Sequence, residues 1–484
     1  SKQLTEARAR LNELFGKKFP DRFRAEDVHY EYDTPDQLAV INYTSGTTSS
    51  SKGVMLPYRS LWTNLQFAID TYGINPGEQI VCMLPMAHMY GLAFEFIYQF
   101  VNGTHIHFLS RTPSPKIIAD AFATVKPDLI ITVPLVIEKI IKKKVFPTIE
   151  KPHMKLLMNI PIINDKIRES IRQKVIDAFG GKFKELIIGG AALNKEVEIF
   201  LRSIRFPYTV GYGMTECGPL LTYDNWKTFR QSSCGKAVPR VELRIDSGDP
   251  QHIVGEILAK GICVMTGYYK NPEATAAAID RDGWLHTGDL GFLDSGGYLH
   301  YVGRIKEIIN RGGEKIIPAE VEAVLSRYPG VKECKVIGLP DPYYGEEVCA
   351  CLVPACEGEN LDAGHVRAFL EPRLAHFKLP RHIVTLPALP INTSGKVRRG
   401  ELRRMAAESL GLGACFSNQP HWLTDVPVVR EIFGRLGLRE EEDIFGSVSV
   451  GYPAMRPQKA AARKEGRICL DRDVLKEVQE KPCI

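Results

Sequence analysis

TSGTTSSSKGVMLP, residues 44–57, is crowded with small hydroxylated side chains, brackets its polar run with Gly46 and Gly53, and places a single cation, Lys52, inside it. The apolar, β-favouring Leu38-Ala39-Val40-Ile41 precedes it, and a helical pattern follows from Ser60. Free backbone N–H groups, hydroxyls and one ammonium suit a polyphosphate. The P-loop NTPase pattern is nevertheless not matched: Ser51 sits where its second Gly belongs, and Gly53 where a Ser or Thr would bind magnesium. Taken alone, the stretch also reads as a solvated Ser-rich linker, so the rest of the chain must decide.

At 484 residues the chain is long enough for two or three domains and a large core. A hydrophobic fraction of 44% and a charged fraction of 25% are those of an ordinary globular protein. A net charge of +5 demands neither nucleic acid nor membrane, and no nucleic-acid partner is expected. The longest apolar runs, such as LIITVPLVI (129–137), are too short to span a bilayer, and SKQLTEARAR lacks the apolar core of a signal peptide. The 11 Cys form no CxxC pair, which favours reduced thiols over zinc and gives a cytoplasmic expectation.

Short apolar runs alternate with amphipathic helical patterns, which predicts α/β layers. Strand-like ELIIGG (185–190), helix-like NKEVEIFLRSI (194–204) and strand-like PYTVGYG (207–213) follow one another directly. Residues 255–301 read as short strands with Gly-rich turns. Beyond GRIKEII (303–309), a helix, two strands and a second helix form a small α/β unit ending near residue 405.

The clusters YTSGTTSSSKG (43–53), LPMAHMYGL (84–92), IIGGAAL (187–193), GYGMTECGP (211–219), WLHTGDLG (284–291), GRIKEIINRGGEKI (303–316) and PINTSGKVRRGELR (390–403) come in a recognisable order. From about 38 to 405 the chain resembles the AMP-forming adenylating superfamily: acyl-CoA synthetases, luciferases and peptide-synthetase adenylation domains. The resemblance implies an α/β, multi-subdomain adenylate-forming fold with a large N-terminal domain, truncated at its start, and a small mobile α/β C-terminal domain. Residues 1–303 are expected to be the AMP-binding adenylation domain without most of the lobe that precedes the loop in family members. Residues 304–408 are expected to be the mobile domain, and 409–484 an extension of unassigned role.

The same resemblance implies ATP, Mg2+ and CoA, and a reaction in which a carboxylic acid is joined to the α-phosphate before a thiol attacks the acyl adenylate. Thr44, Ser45, Gly46, Thr47, Thr48 and Lys52 would then wrap the β- and γ-phosphates. Ser49 and Ser51 depart from the family's TSGTTGxPKG, where Gly and Pro stand. In the motif Gly211-Tyr212-Gly213-Met214-Thr215-Glu216, Tyr212 would face adenine, Thr215 the α-phosphate and Glu216 magnesium. Gly189, Gly190 and Ala191 would let the backbone lie against adenine. Asp289 would hold the ribose hydroxyls, since a carboxylate accepts two donors at once, with Arg304 as a second ribose or phosphate contact. Lys306 matches the hinge, Gly313 the pantetheine tunnel, Lys396 the lysine that bridges carboxylate and α-phosphate, and His88 a gate to the acyl pocket.

For the acid, TVPLVIEKI (132–140) resembles the long-chain fatty acyl-CoA synthetase branch and so implies lipid metabolism. Tyr90, Leu92, Phe94, Phe96, Ile97 and Phe100 are candidates for an acyl tunnel as well as for ordinary core. INRGGEKI (309–316) is similar to aryl-acid adenylating members. Loading of a carrier-protein thiol and a non-catalytic nucleotide-binding fragment stay open as alternatives. The basic run Lys142-Lys143-Lys144 reads either as a solvated helix end or as an attractor of anionic membrane or CoA phosphates. Residues 420–464 loosely resemble the C-terminal end of flavin-dependent nitroreductases, but so short a stretch implies no FMN. Oligomeric state is not legible.

Overall fold

The structure, a computed structural model, describes residues 2–21, 24–27, 34–44, 51–109, 111, 113–141, 145–149, 161–356, 361–391, 397–410, 413–417 and 447–451. Ser45, Gly46, Thr47, Thr48, Lys396, the run 142–144, and residues 420–446 and 452–464 of the nitroreductase-like stretch lie outside them.

The chain is a mixed α/β protein with a large N-terminal body and a small C-terminal one. Strands Leu129–Thr132, Glu185–Ile188 and Tyr208–Val210 form a parallel sheet in which every residue is buried. Burial on both faces explains why these segments read as continuous rather than alternating apolar runs. Helices Pro115–Val125, Pro161–Ala178 and Lys195–Ser203 supply Ile118, Phe122, Ile171, Val175, Val197 and Leu201 to the core around that sheet. Asn194 starts the last of these by accepting from the N–H groups of Glu196 and Val197.

A second core joins helix Tyr58–Thr71 to two antiparallel sheets. One is the hairpin Leu38–Thr44 and Lys52–Pro57, extended by Gly267–Tyr268. The other runs through Val241–Asp246, Gly255–Gly261, Leu285–Leu293 and Leu299–Arg304, and its last pairing sets Asp289 opposite Arg304.

The short helical turn Ile305–Glu307 leads into the small body, a sheet of Ile309–Arg311, Glu314–Ile316, Val331–Asp341, Gly345–Pro354 and His382–Thr385. Strand alternation divides its core in two. Val348, Ala350 and Leu352 face the helices Pro318–Leu325 and Ala363–Leu370, while Cys349 and Cys351 face helix Arg399–Ser409. Both thiols are thus core side chains. Among the described residues no helix is long and apolar enough to cross a membrane, and no group of His, Cys, Asp and Glu could hold a metal by itself.

Glu185 is buried at the start of its strand and accepts from the Tyr223 hydroxyl at 2.7 Å and the Trp226 N–H at 2.9 Å. Burial pushes its carboxyl from 4.5 up to about 7. Between those values the folded chain holds a proton that the unfolded chain has released, so this group lowers stability as pH rises through the window. Glu185→Gln is expected to flatten that part of the slope. The urea midpoint should fall less between about pH 5 and about pH 8 than in the parent; an equal fall would contradict the assignment.

Candidate active site

Asp289 is only 2% exposed, midway along strand Leu285–Leu293. Its Oδ2 accepts from the Tyr212 hydroxyl at 2.9 Å, and the Arg304 Nε lies 3.0 Å from Oδ1. Thr287 fixes the approach: its hydroxyl donates to the Ile257 carbonyl at 2.6 Å and accepts from the Asp289 N–H at 3.1 Å. Gly288 takes φ +70°, which an L side chain rarely adopts, and donates its N–H to Glu256 at 2.9 Å. Burial, then the Asp289 carboxylate, pushes the Tyr212 phenol well up. Burial opposes the Arg304 charge, but Asp289 and its neighbours outweigh it and hold the guanidinium above its ordinary value. Three residues expected at the nucleotide site thus form one connected unit. Each carboxylate oxygen has more than one lone-pair direction, so vicinal hydroxyls can join the partners already present.

The second unit is built on the short helical turn Thr215–Cys217. Glu216 is 9% exposed, and its Oε1 accepts from the Tyr268 hydroxyl at 2.9 Å. Lys52 Nζ stands 4.7 Å from the centre of the Tyr268 ring. Lys52 also pairs with Thr44 at the loop end of the hairpin, so the described base of the loop is linked through Tyr268 to the Glu216 carboxylate. The buried Asn64 fixes the turn, donating to the Cys217 carbonyl at 3.0 Å and accepting from the Leu220 N–H at 2.9 Å. The Met214 N–H donates to the Pro219 carbonyl at 2.8 Å, which closes the loop across Gly213.

Gly189 ends the central parallel strand, donating its N–H to the Thr132 carbonyl at 3.0 Å. The Gly211 N–H donates to the Ile188 carbonyl at 2.9 Å, which sets the GYGMTE segment beside it. A Cβ on Gly189 would stand 2.9 Å from Tyr90 Cζ, and the Tyr90 hydroxyl donates to the Ile187 carbonyl at 3.2 Å. Gly190, at φ +82°, and Ala191 are exposed. His88 is exposed too, on a segment tied to the first hairpin by Asn42 Nδ2 donating to the Ala87 carbonyl at 2.8 Å.

The aromatic residues after His88 do not form one wall. Phe94 is buried in the core, Tyr90 packs on Gly189, and Phe100 is 72% exposed. A helix turns successive side chains to different sides, so a run of apolar residues need not line a single tunnel. Lys306 sits exposed on the connector Ile305–Glu307, and Gly313, at φ +95°, on the first hairpin of the small body. Lys306 thus follows Arg304 of the Asp289 unit by two residues, on the turn that Arg304 caps, while Gly313 lies on a separate element of the small body.

Three residues that sequence reasoning passed over complete these units: Tyr268, Asn64 and Tyr301. The Tyr301 ring lies 6.0 Å from that of Tyr212 at 34°. Tyr268 reads as an ordinary strand aromatic and Asn64 as a helix-surface residue; only their tertiary partners reveal them.

Residues 4–269 match the AMP-binding enzyme family, and residues 320–396 match the AMP-binding enzyme C-terminal domain. The chain belongs to the AMP-binding enzyme family. It is 33% identical over 382 residues to the indoleacetate–CoA ligase of Aromatoleum aromaticum, covering 77% of this chain and 68% of that protein. To a feruloyl-CoA synthase of Amycolatopsis sp it is 32% identical, covering 76% of this chain and 70% of the other. Among solved structures it is similar to o-succinylbenzoate CoA synthetase (MenE) of Bacillus subtilis in complex with the acyl-adenylate intermediate OSB-AMP. The TM-score is 0.62 with 26% identity, over 76% of this chain and 70% of that one.

Proposed function

We propose that this member of the family is an ATP-dependent, AMP-forming acid–thiol ligase that joins a carboxylic acid to CoA through an acyl adenylate. The observation behind this reading is the chain from Lys52 through Tyr268 to Glu216, which sets the base of the Ser-rich loop against a buried carboxylate. Asp289 holds the ribose hydroxyls, with Tyr212 and Arg304 fixing its orientation. Lys52 and the loop residues bear on the β- and γ-phosphates, and Thr215 on the α-phosphate. Glu216 is engaged by a neutral hydroxyl donor, so its charge is available to a cation, and it is the residue we assign to magnesium. Magnesium, when bound, neutralises phosphate charge. Lys396 would bring an ammonium to the α-phosphate as the acid oxygen attacks and pyrophosphate leaves. The small body would then turn about Lys306, and the thiol sulfur of CoA, reaching in past Gly313, would displace AMP.

For the acid, we place an aromatic one first, because the two curated relatives are named for indoleacetate and ferulate. The long-chain fatty acid expected from TVPLVIEKI is the second reading, and the dispersed aromatic residues around Phe94 and Phe100 do not favour it. Pyrophosphate release is the test, using ATP and magnesium with indoleacetate, ferulate, benzoate, acetate, octanoate and palmitate. Release with one acid class, reduced roughly 100-fold or more by Lys396→Ala, is the expected result. No release from folded protein with any acid would overturn the proposal, and release with palmitate alone would reverse the choice of acid.

A further inference from the structure

The helical run after His88 contains Glu95, which is fully buried among apolar side chains. Burying a carboxyl is costly unless it satisfies something in return. Glu95 Oε2 accepts from two consecutive backbone N–H groups, Met83 at 3.0 Å and Leu84 at 2.7 Å. These lie where the chain leaves strand Gln79–Cys82 and turns toward Pro85. Beyond the strand those donors have lost their ladder partners, and Glu95 replaces them.

The surroundings suit this role. Residues Gly91–Ile97 form a π-helical turn, a feature frequent at functional sites. A Cβ on Gly91 would stand 2.8 Å from the Pro85 carbonyl oxygen, so the helix begins in close contact with the segment that Glu95 holds. The Ala87 carbonyl accepts from Asn42, and the Leu92 N–H donates to the His88 carbonyl at 3.0 Å. The neighbouring Tyr90 donates its hydroxyl to the Ile187 carbonyl and packs against Gly189.

We propose that Glu95 is a positioning residue for the acid half of the site: its buried carboxyl holds Met83 to His88 in place, on the helix whose Tyr90 braces the nucleotide half. This rests on the ligase reading above. The titratable groups facing Glu95 are the Cys82 thiol on the strand and the Tyr90 phenol on its own helix. Burial pushes Glu95 up to about 8, so near neutral pH it is largely protonated, and it gains charge in the alkaline range.

The test compares Glu95→Leu and Glu95→Gln in the full chain. In Glu95→Leu, amide exchange of the peptide spanning 83–88 should speed up about tenfold or more while that spanning 185–190 does not. The KM for the acid should rise about tenfold, with the KM for ATP changing less than about twofold. Glu95→Gln keeps an acceptor oxygen, so it should retain both protection and acid KM. It should also remove any change in acid KM that the parent shows around pH 8, where Glu95 titrates. Unchanged exchange at 83–88 in Glu95→Leu overturns the positioning role without reference to activity. Equal rises in both KM values, or a parent pH profile that Gln leaves intact, overturn its assignment to the acid half. If Glu95→Leu does not fold, the Gln profile decides. A parent silent toward every acid would defeat the ligase reading, while exchange would still decide whether Glu95 holds the segment.

Discussion

Asp289→Asn is expected to lower kcat/KM for ATP by about 100- to 1000-fold while leaving the protein folded. The substitution keeps the shape and one acceptor oxygen but replaces the other with an NH2 donor. Whichever way the amide turns, one of Tyr212 O–H and Arg304 Nε then meets a donor, because both point at the carboxylate now. The proposed ribose hydroxyls donate to the same two oxygens, so they lose a charge-assisted hydrogen bond, which costs roughly 1.5–3 kcal/mol, and an amide donor turned toward one of them adds to it. Since about 1.4 kcal/mol is tenfold, the combined loss reaches the stated range. The stability penalty is smaller, because the Arg304 side chain is 44% exposed and water can take over its charge. Pyrophosphate-release kinetics at varied ATP, with a thermal melt alongside, check both halves. Unchanged ATP parameters in folded Asp289→Asn would remove Asp289 from the nucleotide site.

What the sequence made legible follows burial. ELII (185–188) reads as a strand, and LIIT (129–132) as an apolar run, because both are buried on both faces and carry polar residues only at one end, Glu185 and Thr132. The order ELIIGG, helix, PYTVGYG is local, and local order survives folding unchanged. The Tyr212, Asp289 and Arg304 unit was legible only through its motifs, since Tyr212 and Asp289 lie 77 residues apart. Tyr268 and Asn64 carry no such signal. Their partners, Glu216 and the Cys217–Leu220 turn, lie across the fold, and each residue type fits its own element without remark. Glu95 was passed over in the apolar run MYGLAFEFIYQF (89–100), where only the aromatic and aliphatic residues were read. Its partners are backbone N–H groups, which no sequence pattern displays.

Gly213→Ala is the substitution expected to damage the large body most. Strand Tyr212–Gly213 runs antiparallel to Leu220–Tyr223, and the register slips between Tyr212 and Gly213. A Cβ on Gly213 would stand 1.9 Å from the Pro219 carbonyl oxygen, 2.9 Å from its carbon and 3.0 Å from Leu220 Cα. All three are backbone atoms, so no side chain can rotate aside; the strands must part. Parting them breaks the hydrogen bond from Met214 N–H to the Pro219 carbonyl and moves the turn that carries Thr215 and Glu216. Overpacking of this kind costs about 1–3 kcal/mol, and a backbone clash belongs at or above the upper end. Activity should fall further than stability, since Glu216 is displaced in whatever folded state survives. Gly313→Ala provides the contrast. Nothing lies within 4 Å of its added Cβ, but φ +95° makes the backbone unfavourable for Ala, so a cost of roughly 1–2 kcal/mol is expected, confined to the small body. Urea unfolding of both variants separates the two causes. A Gly213→Ala loss below about 1 kcal/mol would mean the strands yield easily, and Glu216 would then owe its place to Tyr268 and Asn64 rather than to this contact.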